Sequence, residues 1–234
     1  MFRTVTDEIM DGPNVPESAH LQALEGLCKI NRFSHTARQI LAPILEMAQR
    51  NNLDRLSLLD IACGGGDVPI AVATAAKSHG LSIDLTLLDR SPTALSRAAS
   101  AAHDAGIPCH TVQGDVLSDL PDSNFDIVTS TLFLHHVPEP AQVIDLLKGM
   151  RRVARRMIVI SDLRRSRRAL LWTWIGCRLI SRSKIVHYDG PVSVRAAWTM
   201  NELSDFATAA GLTGARITTS FPWRMMLVWE APTP

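Results

Sequence analysis

The sequence is short of cysteine, of long apolar runs and of net charge, and each shortage closes off a class of protein. Its four cysteines, Cys28, Cys63, Cys109 and Cys177, are widely separated and form no C-x-x-C pair. That spacing argues against a zinc knot or a disulfide framework and fits a reducing cytoplasm. No basic, apolar, small-residue signal pattern opens the chain, and its longest apolar stretch, residues 169–180, is too short to span a bilayer. A soluble, cytoplasmic protein is therefore expected. The net charge of +1 conceals an asymmetry: residues 151–184 hold eleven Arg or Lys against a single acid, Asp162, whereas the remainder carries 13 basic and 22 acidic residues. At 234 residues and 46% hydrophobic content, the chain is long enough for one α/β domain with an accessory segment and short for two full domains.

The stretch SLLDIACGGGDVPIAVA, residues 57–73, organises what is present. Leu58, Leu59 and Ile61 suit a buried parallel strand, with Asp60 near its carboxyl end. Gly64, Gly65 and Gly66 allow a tight turn and close approach of a ligand to the backbone. Asp67 is placed to cap the helix that follows, and Pro69 fits its first turn. In an open α/β sheet such a junction is where ligands bind. A dinucleotide fingerprint would need G-x-G-x-x-G, but Pro69 stands where the third glycine belongs.

The octapeptide D-I-A-C-G-G-G-D resembles motif I, (D/E)-x-G-x-G-x-G, of the class I S-adenosylmethionine (SAM) dependent methyltransferases. Asp60, Gly64 and Gly66 fall on pattern positions, and Ala62 replaces the first glycine, for which a local adjustment of the loop is expected. A second apolar segment, residues 81–88, ends at Asp89, 23 residues beyond Gly66. An acid there can accept hydrogen bonds from both ribose hydroxyls. A third strand, 108–113, leads into Gly114-Asp115-Val116, which is similar to the family's adenine contact. The fourth, 125–130, runs into TLFLHHVPEP, which resembles the L-H-H-V signature of ubiquinone- and menaquinone-biosynthesis type methyltransferases. The (N/D/S)-P-P-(Y/F) motif of enzymes that methylate exocyclic base nitrogens is absent. The family's usual L-K-P-G-G before strand five is replaced by RRVARR.

The resemblance implies SAM as cofactor, with contacts at Asp60, Ala62, Cys63, Gly64, Gly66, Asp67, Asp89, Arg90, Gly114, Asp115, Val116 and Ser130. It implies a Rossmann-like, seven-stranded, mostly parallel sheet with a final antiparallel hairpin, N-terminal lid helices and a helical insert after strand five. Residues 1–50 are assigned to a mobile or loosely docked lead and lid helices from which Arg32 or Arg38 could reach the SAM carboxylate, or simply solvate a helix face. Residues 51–234 form the SAM-binding domain, with the insert at 163–200. The helix in that insert is expected to break at HYDGPVSVRAAWT.

The expected reaction is methylation of a small, apolar, phenolic or quinol-like acceptor, aromatic or lipid-like, at oxygen. Carbon methylation and a non-catalytic, membrane-associated SAM-binding role stand as alternatives. The reaction requires no metal, and no nucleic acid partner is expected. Histidine suits removal of the hydroxyl proton near neutral pH, and His135 or His136, then His187, are the candidate bases. The basic, tryptophan-bearing insert has three open readings: peripheral membrane contact through 163–184, a cover over the acceptor, or core packing with a solvated basic face. Acceptor identity, methylated atom and oligomeric state are not written in the chain.

Overall fold

The computed structural model describes residues 1–12 and 14–232, leaving Pro13 of the lead and the last two positions outside the described residues. Seven strands form one sheet in the order β3-β2-β1-β4-β5-β7-β6. They are β1 (Arg55–Ile61), β2 (Ser82–Asp89), β3 (Cys109–Gln113), β4 (Phe125–Thr131), β5 (Ala154–Leu163), β6 (Arg216–Ser220) and β7 (Arg224–Glu230). The first five are parallel, while β7 runs antiparallel between β5 and β6. The expected Rossmann-like sheet with its final hairpin is thus present.

Alternation along β1 explains how helices cover both faces. Leu58 and Leu85 pack with Ile40 and Ile44 of α2 (Thr36–Arg50), Val72 of α3 (Asp67–Lys77) and Leu95 of α4 (Pro92–Asp104). Leu59, Ile61 and Val128 face the other way, against Leu147 of α5 (Pro140–Val153) and Leu203 and Phe206 of α8 (Met200–Ala209). Successive strand side chains point to opposite faces, so each apolar run feeds two cores. α4 begins where Ser91 accepts from the Ala94 amide, with Pro92 in the first turn. α8 carries a complete capping box between Thr199 and Glu202.

Three expectations are corrected. Gly66, at φ 72°, is the N-cap of α3, so Asp67 is its first helical residue and its side chain is turned to Asn31 instead. The insert does not break at HYDGPVSVRAAWT. It breaks earlier, at Ser181–Ser183, between α6 (Arg167–Ile180) and α7 (Lys184–Ala196), and α7 runs through Gly190-Pro191. The physical reason is tertiary: a Cβ on Gly190 would lie 2.5 Å from Cys177 Sγ, so glycine lets α7 press against α6 and the packing holds the helix despite its proline.

The third correction concerns the lead, which is docked. Arg3 lies over the Trp198 ring at 3.4 Å and donates to the carbonyls of Ala196, Val137 and Pro138. Asp189 of α7 accepts from the amides of Ile9 and Met10 at 2.8 and 3.0 Å, which fixes a short 3-10 turn at Ile9–Asp11. α1 (Glu17–Phe33) then packs against α2, α3, α6 and α7. Among the described residues, no helix is long and apolar enough to cross a membrane.

Candidate active site

The carboxyl ends of β1, β2 and β4 converge on the glycine loop. Asp89, at the end of β2, accepts from the Gly64 amide at 2.8 Å through one oxygen and from the Ser91 amide at 2.9 Å through the other. Each carboxylate oxygen keeps a second lone pair, so Asp89 is oriented by the backbone and can still accept from a vicinal diol. Ala62 adopts φ 52°, a left-handed conformation usually left to glycine, so the methyl group is accommodated with the turn itself intact. Gly66 cannot carry a side chain, because its Cβ would come within 2.9 Å of Ala98.

Two further acids sit in the same region. Asp60 is buried, accepts from Thr129 Oγ1 at 2.5 Å, and has its pKa pushed up to about 8 by burial, reinforced by the nearby charges of Asp67 and Asp89. Asp67 is likewise held above its ordinary value by burial, although Asn31 donates to it at 3.0 Å. Carboxyl groups raised in this way suit a ligand that brings positive charge, which would favour their ionised forms. Asn31 is itself fixed by Arg224 of β7, whose guanidinium donates to Asn31 Oδ1 and Thr36 Oγ1, each at 2.8 Å. Burial pulls Arg224 down to about 10 against the opposing charges of Asp162 and Asp67.

The other expected cofactor positions divide. Ser130 is buried and its hydroxyl reaches the Ile61 carbonyl at 3.4 Å, while Cys63 is buried, with its thiol pushed up mainly by burial. Val116 is in the core; Asp115 is exposed, and its side chain accepts from the Leu117 amide. Gly114 follows β3 and donates its amide to the Asp89 carbonyl. Arg90 is exposed beside Asp89. Arg32 and Arg38 are exposed on their helices, and it is Asn31, next to Arg32, that turns inward.

A second cluster stands at the end of β4. Leu134–His136 form a 3-10 turn that buries His135 and leaves His136 partly exposed. Asp162, at the end of β5, accepts from His135 Nδ1 at 2.7 Å and from the His135 amide at 3.2 Å. Glu8 of the lead comes within 3.6 Å of His135 Nε2 and 3.9 Å of His136 Nε2. Burial alone would lower the His135 pKa, but the carboxylates of Asp162 and Glu8 outweigh it and raise it to about 10. His187 is elsewhere: its Nε2 donates to the Ser181 carbonyl at 2.7 Å, and its ring lines a groove of about 320 Å³ with Trp174, Arg178, Lys184, Tyr188 and Arg195. The structure thus brings His135 and His136 together with two acids, Glu8 and Asp162, that motif reading does not single out, and sets His187 apart.

Residues 58–157 match the model of a methyltransferase domain family. An uncharacterised methyltransferase of Mycobacterium tuberculosis strain H37Rv is 26% identical over 181 residues, covering 75% of this chain and 87% of that one. A ubiquinone biosynthesis O-methyltransferase of Paraburkholderia phymatum is 30% identical over 164 residues, covering 68% and 66% respectively. In fold, the chain is similar to the crystal structure of a candidate O-methyltransferase from Nostoc punctiforme, with a TM-score of 0.67 and 17% identity over 98% of this chain and 64% of that one. The chain belongs to the class I SAM-dependent methyltransferases. This methyltransferase spans just under two thirds of the Nostoc protein's length. The matched stretch contains the glycine loop, Asp89 and both histidines, whereas Glu8 and Asp162 lie outside it.

Proposed function

We propose that the methyltransferase transfers the SAM methyl group to an oxygen of a small, apolar acceptor of phenolic or quinol type. The observation that carries the reading is the doubly anchored Asp89 beside the glycine loop, with the histidine corner at the adjoining strand end. Asp89 would hold the ribose, Asp60 or Asp67 would meet the cationic amino-acid end, Val116 would border the adenine, and the backbone of Ala62, Gly64 and Gly66 would follow the ligand closely. SAM supplies an electrophilic methyl group on a sulfonium. The chain's own work is to bind and orient both reactants and to exclude water. In this reading the acceptor hydroxyl sits at the His135–His136 corner and gives its proton to the His136 ring as its oxygen takes the methyl group and the sulfonium becomes a neutral thioether, because His135, held between Asp162 and Glu8 with its pKa raised to about 10, already carries its proton. The O-methyltransferase name of the Paraburkholderia relative supports oxygen over carbon as the nucleophile.

A second element of the reading is peripheral contact with an anionic membrane surface through residues 163–184. Only Ala169 and Cys177 of α6 are buried, and Leu171, Trp172, Trp174 and Leu179 are 56%, 52%, 49% and 81% exposed beside Arg167, Arg168, Arg178 and Arg182. Apolar and basic side chains sharing one exposed helix and the turn that follows it suit a negatively charged interface and an acceptor delivered from it.

The test is incubation with SAM and a panel of phenols and quinols, followed by mass spectrometry and assignment of the methylated atom. An O-methyl ether supports the proposal. A C-methyl product replaces oxygen by carbon as nucleophile, and SAM binding without turnover across the panel sinks the catalytic reading.

A further inference from the structure

We propose that Glu8, His135 and His136 form a binding site for one divalent transition-metal cation of the zinc, manganese or cobalt type, with Asp162 orienting His135 from behind. Two imidazole nitrogens and one carboxylate converge here, and the ligand atoms of all three residues lie within 4.8 Å of one another. The spacing separates an ion site from a direct ion pair. His135 Nε2 is 3.6 Å from one Glu8 oxygen and His136 Nε2 is 3.9 Å from the other. Both gaps exceed a charge-assisted N–H···O bond, which is about 2.7–2.9 Å long. An ion bonded to nitrogen and oxygen at about 2.0–2.2 Å in tetrahedral geometry sets neighbouring ligand atoms about 3.3–3.6 Å apart, so the present spacing needs only a slight closing of the side chains.

The surroundings of each ligand support the same conclusion. Asp162 can only accept at Nδ1, so that nitrogen carries the proton and the His135 Nε2 lone pair is the one presented to Glu8 when the ring is neutral. A carboxylate behind a histidine ligand is the usual arrangement for fixing ring orientation and raising ligand basicity. The two rings lie 4.3 Å apart between centroids, too close for two cations to be comfortable without a shared anion or a replacement charge. Glu8 is positioned from three sides: Asp189 binds the two amides that follow it, Ser193 Oγ donates to it at 2.5 Å, and Arg3 fastens the segment upstream. Imidazole and carboxylate donors together suit borderline divalent ions better than calcium, which prefers an all-oxygen shell.

The consequence for catalysis rests on the acceptor reading above, because an ion at this corner would favour the ionised form of a hydroxyl bound there. Binding itself can be measured without that reading. Tag-free, chelator-treated full-length protein is titrated with Co²⁺, followed by visible absorption, and with Zn²⁺, followed by calorimetry. The variants are Glu8→Gln, His136→Ala, Asp162→Asn and, as a control, the exposed His103→Ala, with circular dichroism and SAM affinity used to verify folding. One ion per chain is expected, with affinity reduced at least about tenfold in Glu8→Gln and His136→Ala and about 10- to 100-fold in Asp162→Asn, and unchanged in the control. Absence of stoichiometric uptake by the wild type, or equal uptake by wild type and both ligand variants, overturns the site. Acceptor methylation that proceeds without any such uptake overturns the metal proposal and leaves the methyl-transfer reading standing.

Discussion

Arg224 on β7 and Asn31 on α1 are joined by a 2.8 Å hydrogen bond, and Asn31 passes the link on to Asp67 at the start of α3. A strand from the far end of the chain is thereby linked through α1 to the start of α3, directly after the glycine loop. Asn31→Ala leaves one arm of a buried guanidinium and one carboxylate unpartnered, so a loss of about 1.5–3 kcal/mol in stability is expected. SAM affinity should fall with it. Urea denaturation and calorimetry check both, and a variant with unchanged stability would show that the bridge is idle.

Asp89→Ala should weaken SAM binding by about 1.5–3 kcal/mol, since hydrogen bonds from neutral hydroxyls to a carboxylate are lost and the Gly64 amide loses its anchor. Calorimetry on protein shown to be folded is the measurement. Unchanged affinity removes Asp89 from the cofactor site.

Asp60 predicts a pH dependence of the SAM-free protein. Its folded pKa, pushed up to about 8, lies above the unfolded value, so the folded state holds a proton that the unfolded chain has released. The associated stability is complete below the unfolded pKa and is lost as pH rises through about 8. Melting temperature should therefore decline from pH 6 to 9 in the wild type and decline less in Asp60→Asn, with a difference of about 2–4 °C for each kcal/mol involved. Parallel curves for the two proteins would contradict the assignment.

Ala62 predicts a stabilising substitution inside the glycine loop. A left-handed alanine costs about 1–2 kcal/mol, part of which glycine returns as greater freedom of the unfolded chain. Ala62→Gly should thus raise stability by roughly 0.5–1 kcal/mol in thermal or urea unfolding. A destabilised variant would show that the methyl group makes packing contacts worth more than the strain.

The exposed tryptophans give a test of surface binding. Trp172→Ala with Trp174→Ala should reduce co-sedimentation with anionic vesicles while leaving SAM affinity unchanged. Reversing the charges at Arg167 and Arg168 should do the same, most clearly at low salt, where exposed charges act over longer distances. Vesicle association insensitive to both changes and to salt would remove this face from consideration.

The glycine turn after β1 and the starts of α4 and α8 were legible because local chemistry there agrees with the fold. Three glycines after an apolar strand, Ser91-Pro92 at a helix start, and Thr199 with Glu202 three residues on each specify their own conformation. The insert was misread because Gly190-Pro191 is a local breaker overridden by its contact with Cys177. Glu8 and Asp162 were missed for a different reason. Neither stands in a periodic or motif context, and each gains meaning only from a partner 127 or 27 residues away in sequence. Asn31 was overshadowed by the charge of Arg32, although only burial decides which of two neighbours on a helix faces inward.

The fastening of the lead by Arg3, Asp189 and Ser193 has a consequence for how such a molecule can change. The loop that would grip the cofactor joins β1 to α3 and is anchored by Asp89 of β2, while the carboxylate that completes the histidine corner arrives on a separate, short stretch held to α7. With the acceptor bound at that corner, as proposed, its selectivity would be open to change by replacing roughly the first dozen residues together with their two docking side chains on α7. Grafting leads of different sequence onto one unchanged sheet would turn a single cofactor engine into a series of catalysts with different tastes.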